Sequence, residues 1–135
     1  MDTELFDIST GDRQVTDVTG VVGRFCEGRG DGLCHVFAPH ATAGLALMEV
    51  GSGSEQDLGE LLGRILPRDD RYRHRHGSTG HGADHLLPVI VSPSLAVPVA
   101  AGRLLLGTWQ SIVFVDLNAD NPDRHLRCSW LPAGT

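Results

Sequence analysis

Four of the chain's seven histidines, His74, His76, His81 and His85, fall within "RYRHRHGSTGHGADHLLP", the stretch from Arg71 to Pro88. A single histidine among arginines and glycines is ordinarily a solvated loop residue. Four in a segment this short and this poor in apolar residues point to metal binding. Imidazole nitrogens are good donors to Zn and related ions, and catalytic sites commonly use three protein ligands with one position left open. The cluster is thus a candidate metal site that draws a further ligand from elsewhere in the chain.

Arg64, Arg68, Arg71, Arg73 and Arg75 lie just before or within the same segment. They could clamp a phosphate or carboxylate, or form a solvated face neutralised by Asp69 and Asp70. The chain as a whole carries a formal net charge of −6 and a pI near 5.5. That balance gives no broad attraction to nucleic acid or to an anionic membrane, but the local arginines could still draw a small anionic metabolite, the expected partner.

A second group of chemistry-bearing residues sits in "FAPHATAGLALMEV". His40 follows one strand-like run and Glu49 follows the next, and the small residues Ala41 to Gly44 between them allow close backbone approach.

These groups need a scaffold, and 135 residues with 41% hydrophobic and 21% charged content suffice for one ordinary globular domain. "TELFDIST" alternates as a strand, and Val15, Val18, Val22 and Phe25 recur at helical spacing up to a stop near Gly28. "LCHVFA" and "AGLALMEV" read as strands. "SGSEQDLGELLGRIL" reads as a second helix, with Ser52 or Ser54 as its cap and Pro67 as its end. The histidine segment follows as a long loop, a type of segment in which ligands concentrate. From Leu86 onward "LLPVIV", "SLAVPVA", "RLLLGTWQSIVFVDLN" and "RHLRCSW" read as an antiparallel meander, although "ADHLLP" could open a short helix at Asp84. Pro88 fits such a helix only within its first turn. The expected fold is α+β, a single domain over 1–135 with two main helices on a mostly antiparallel, sandwich-like sheet system. Cys26, Cys34 and Cys128 are an odd, scattered set with no CxxC pair, and no secretory or membrane-spanning run is evident, so a soluble protein of a reducing cytoplasm is expected.

Together, "HATAGLALMEV", "YRHRHGSTGHGADHL", Gly102-Arg103 and "GTWQ" over Gly107–Gln110 resemble the YjbQ-like family, whose members carry the label secondary thiamine-phosphate synthase. The resemblance extends over nearly the whole chain. It implies that His40, His74 and His85 form a metal triad, with His76 and His81 as alternates or as partners of the ligands. It also matches the family's glutamate to Glu49 and its helix aspartate to Asp57, while the asparagines that flank that glutamate are Met48 and Val50 here. A trimer is implied as well.

On this reading Glu49, and after it Asp57, would take a proton beside the metal. Arg73, Arg103, Thr108, Trp109 and Gln110 would contact the substrate. The family label implies coupling of hydroxymethylpyrimidine diphosphate to thiazole phosphate, with Mg expected beside a diphosphate leaving group. Three imidazoles suit Zn, Mn, Fe or Ni better and favour metal-dependent hydrolysis of a small anionic metabolite. The remaining alternative is a protein that binds a metal or an anion without catalysis.

Overall fold

The computed structural model describes residues 1–74, 77–118 and 120–134. Its elements in chain order are β1 (Asp2–Ser9), β2 (Val15–Asp17), α1 (Thr19–Cys26), β3 (Gly32–Phe37), β4 (Ala43–Met48), α2 (Ser54–Ile65), α3 (His81–Ile90), β5 (Ser94–Ala100), β6 (Arg103–Leu104), β7 (Ser111–Asp116) and β8 (Asp123–Pro132). The strands form a five-stranded sheet in the order β1-β8-β3-β5-β6 and a three-stranded sheet in the order β2-β7-β4. Every pairing is antiparallel, so the α+β architecture expected from the sequence is the one observed.

Strand β7, "SIVFVD", explains how the layers stack. Successive strand residues point to opposite faces, and here both faces are buried. Ile112 and Phe114 enter the core between the two sheets, with Leu45, Leu126, Cys128 and Val22. Val113 and Val115 enter a second core against Leu62, Leu66, Ala83 and Leu87 of the α2–α3 region. The order of layers is therefore five-stranded sheet, three-stranded sheet, then α2 and α3. Helix α1 contributes Val22, Phe25 and Cys26 to the core between the sheets.

Three local expectations are corrected. Val15 belongs to β2, where Val15–Asp17 pairs with Val115–Val113, because its residues are taken up by the edge of the three-stranded sheet. Helix α2 is preceded by Gly53 in the left-handed conformation (φ 91°), not by a serine side-chain cap. The largest change is α3: "LLPVIV" is not a strand, and a third helix runs from His81 to Ile90 with Pro88 inside it. Ala83, Asp84 and Leu87 share one buried face of that helix, and this packing outweighs the loss of the proline N–H, a loss of about 3 kcal/mol in a helix interior.

Among the described residues no helix is long and apolar enough to cross a membrane.

Candidate metal centre

His81 and His85 are four residues apart on α3 and therefore project from one face of it. Their Nε2 atoms are 3.0 Å apart and their ring centroids 4.5 Å. His74, at the end of the preceding loop, brings its ring to 4.2 Å from that of His85 and 5.3 Å from that of His81. One nitrogen from each of the three lies within 4.8 Å of the others. Tetrahedral ligation at about 2.0–2.1 Å per Zn–N bond requires nitrogens roughly 3.3 Å apart, so small rotations of the rings would bring all three donors onto one ion.

Three contacts hold the loop that carries His74. Tyr72 donates its phenolic O–H to the Pro67 carbonyl at 2.7 Å, closing the turn, and its ring packs on the α2–α3 core. Arg68 pairs with Asp84, a fully buried carboxylate on α3 between His81 and His85. Gly82 supplies the close approach: a Cβ there would fall 2.6 Å from the Tyr72 Cβ and 2.8 Å from the His74 carbonyl. Only a residue without a side chain lets the loop lie this close to α3.

His40 is placed elsewhere. Its ring meets Phe114 edge-on at 6.1 Å, on the side of β7 that faces the core between the sheets, whereas α3 packs on the opposite side. The His125 backbone N–H lies 2.9 Å from His40 Nε2, and Arg124 Nη1 lies 3.4 Å from His40 Nδ1. Arg124 is itself buried, paired with Asp116 at 2.7 Å and donating to Thr42 at 2.9 Å, and it ties the two sheets together. Burial, then the Arg124 guanidinium, push the His40 pKa below its ordinary value of 6.5. Within one chain His81 thus stands where His40 was expected. His76 lies outside the described residues, as does Arg75.

The other expected site residues are dispersed. Glu49 follows β4 and is exposed, and it makes no side-chain hydrogen bond among the described residues. Asp57 is exposed in the first turn of α2, a position that the helix dipole favours for any carboxylate. Thr108 and Trp109 occupy an exposed turn, with Trp109 72% exposed, and Gln110 spends its side-chain oxygen on the Gly107 N–H at 2.8 Å. Arg103 lies in β6, beside α1. Arg73 is exposed and adjacent in sequence to His74. Arg71 is neutralised by Asp69 at 2.8 Å, and that contact holds the Asp69 carboxyl below its ordinary pKa. The signal for His81 was present in the sequence as His81-x-x-x-His85, and it becomes readable as a ligand pair only once the segment is known to be helical.

A family model described as "UPF0047 protein YjbQ-like" matches residues 4–133. The chain is 60% identical over 131 residues to UPF0047 protein Rv2556c of Mycobacterium tuberculosis, an alignment that spans 97% of this chain and 98% of that one. It is 34% identical over 111 residues to a UPF0047 protein of Archaeoglobus fulgidus, across 82% of this chain and 86% of that one. The fold is similar to the crystal structure of hypothetical protein APE1520 from Aeropyrum pernix K1, with a TM-score of 0.88 and 34% identity over 98% of this chain and 100% of that one.

Proposed function

Given that this chain belongs to the YjbQ-like UPF0047 family, we propose that it is a metal-dependent enzyme acting on a small anionic metabolite, with His74, His81 and His85 as the metal ligands. The observation that carries this reading is the convergence of three imidazole nitrogens within 4.8 Å. An all-nitrogen set suits Zn first and Mn, Fe or Ni next, whereas Mg prefers oxygen ligands. A divalent ion held by these three imidazoles would supply Lewis acidity and could activate water near neutral pH.

The chain's own residues supply the rest. Arg73 and Arg64 form no ion pair among the described residues and flank the loop, so they can hold the anionic end of a substrate. The Arg68–Asp84 pair fixes α3 beneath the imidazoles. The donor set favours hydrolysis over the diphosphate-releasing coupling implied by the family's synthase label, because diphosphate departure is better served by Mg with oxygen ligands. Incubating the Zn- and Mn-loaded protein with a panel of phosphorylated and carboxylated metabolites tests the proposal. Turnover that stops with His85→Ala supports it. Wild-type levels of turnover in that variant contradict it, and metal uptake without turnover of any panel member favours a binding protein.

Assembly as a trimer belongs to the same proposal. Leu5, Leu33, Phe37 and Leu131 are exposed apolar residues on the outer face of the five-stranded sheet, and a neighbouring copy would cover them. Sedimentation showing only a 14.5 kDa species would contradict this. Three free, buried cysteines suit a reducing cytoplasm.

A further inference from the structure

A recess of about 650 Å³ opens between α1 and the β5–β6 hairpin, with Arg24 and Arg103 both on its wall. It lies apart from the imidazole centre, since α1 packs into the core between the sheets and α3 packs on the other side of β7. Neither arginine forms an ion pair or a side-chain hydrogen bond among the described residues, in contrast to Arg29, Arg68, Arg71 and Arg124, which all pair with aspartates.

The recess is built from residues that keep its floor open and its walls fixed. An added Cβ at Gly20 would lie 3.2 Å from Arg24 Nη1, so the Arg24 guanidinium folds back over the first turn of α1. The hairpin turn that carries Arg103 is held in an uncommon conformation. Ala101 has φ 51°, the one positive value among the described non-glycine residues, and its N–H is received by Asp31 Oδ1 at 2.7 Å. Gly102 (φ 75°) donates to the Gly30 carbonyl at 2.9 Å, and its left-handed backbone favours glycine where a Cβ would also press to 3.0 Å from the Gly28 nitrogen. A non-glycine residue in the left-handed region persists only where its surroundings impose it, and here it sets Arg103 beside α1. Glu27 lines the same recess.

We infer that this recess binds a small phosphorylated metabolite that also carries an amine or a hydroxyl group. The two guanidiniums would take the phosphate oxygens, and the Glu27 carboxylate would accept a hydrogen bond from the donor end of the same ligand. A bare anion would feel Glu27 as a repulsion, so a ligand bearing both groups is preferred.

The test is a titration of the isotopically labelled full-length protein with O-phosphoethanolamine and with inorganic phosphate, following backbone amide resonances. The expected result is saturable shifts at Gly20, Gly23, Gly102 and Arg103, with phosphoethanolamine the tighter ligand. An Arg24→Met, Arg103→Met double variant should bind at least about tenfold more weakly with an unchanged melting temperature, since both side chains are exposed. Glu27→Gln should remove the preference for phosphoethanolamine. The inference is overturned by the absence of saturable shifts at these amides up to about 10 mM ligand, by shifts confined to the residues around His81 and His85, or by a double variant that binds like the wild type.

Discussion

His81 Nε2 and His85 Nε2 face each other at 3.0 Å across one turn of α3. At this distance an N–H on either Nε2 can donate to the other nitrogen. Replacing that proton by a cation requires the nitrogens to separate by only a few tenths of an ångström, toward the roughly 3.3 Å of tetrahedral ligation. In the proposed centre the helix would preset two ligands, and the loop that ends at His74 would deliver the third.

Gly82 tests the delivery step. Gly82→Ala would press a methyl group into Tyr72 and the His74 carbonyl, displacing the loop from α3. Metal affinity should fall about 10- to 100-fold, as for other changes in the support of a ligand, while stability falls by about 1–2 kcal/mol. Gly63→Ala in α2 is the matched control. Nothing lies within 4 Å of its added methyl, so it should leave metal binding intact and raise stability by about 0.5–1 kcal/mol. Denaturant titration and metal competition read both effects.

Asp84 tests the support beneath the ligands. Asp84→Asn leaves Arg68 beside a neutral amide in a site where the aspartate side chain is fully buried. Removing one member of a fully buried pair costs about 3–5 kcal/mol; because the Arg68 side chain is 32% exposed, a loss of about 2–3 kcal/mol is expected from denaturant midpoints. A loss below about 0.5 kcal/mol would show that the pair does not brace α3.

Much of this architecture was legible in the sequence. The alternation in "TELFDIST" and the apolar runs "LCHVFA" and "AGLALM" marked β1, β3 and β4, because strand periodicity survives where one or both faces are buried. "HLLPVIV" was not legible. A short apolar run containing a proline suits a strand as well as a helix, and the choice was made by the fit of Ala83 and Leu87 against α2 and β7 and by the pairing of Asp84 with Arg68, which no local rule encodes. That element also decided the site. Read as a loop followed by a strand, His81 and His85 have no fixed relation; read as a helix, they share a face. His40 stood out in the sequence because it precedes a run of small residues, yet its immediate partners in the fold are Arg124 and His125, distant in sequence.

His40 makes a pH prediction with a definite sign. Its folded pKa lies below the unfolded value of 6.5, through burial and then Arg124, so below pH 6.5 the unfolded chain takes up a proton before the folded chain does. Stability is unaffected by this group above pH 6.5, declines as pH falls through 6.5, and stops declining once pH is below the folded value. In His40→Gln the loss of melting temperature between pH 7 and pH 5 should be smaller than in the wild type. An equal loss would assign the acid sensitivity to other groups.

The three thiols should be silent in the native protein. Cys26 is pushed up to about 12 by burial and then by neighbouring Cys34, and Cys34 is raised by its hydrogen bond to Cys128 and by burial. An aromatic disulfide reagent at pH 8 should label none of them until denaturant is added. Rapid native labelling would contradict their placement in the core between the sheets.

The most direct measurement is elemental analysis of untagged protein after incubation with Zn and dialysis, for the wild type, His81→Ala and His40→Ala. Near-stoichiometric metal in the wild type and in His40→Ala, and its loss in His81→Ala, is the result predicted by a centre built on His74, His81 and His85. Retention in His81→Ala with loss in His40→Ala, or no metal in the wild type, would contradict it.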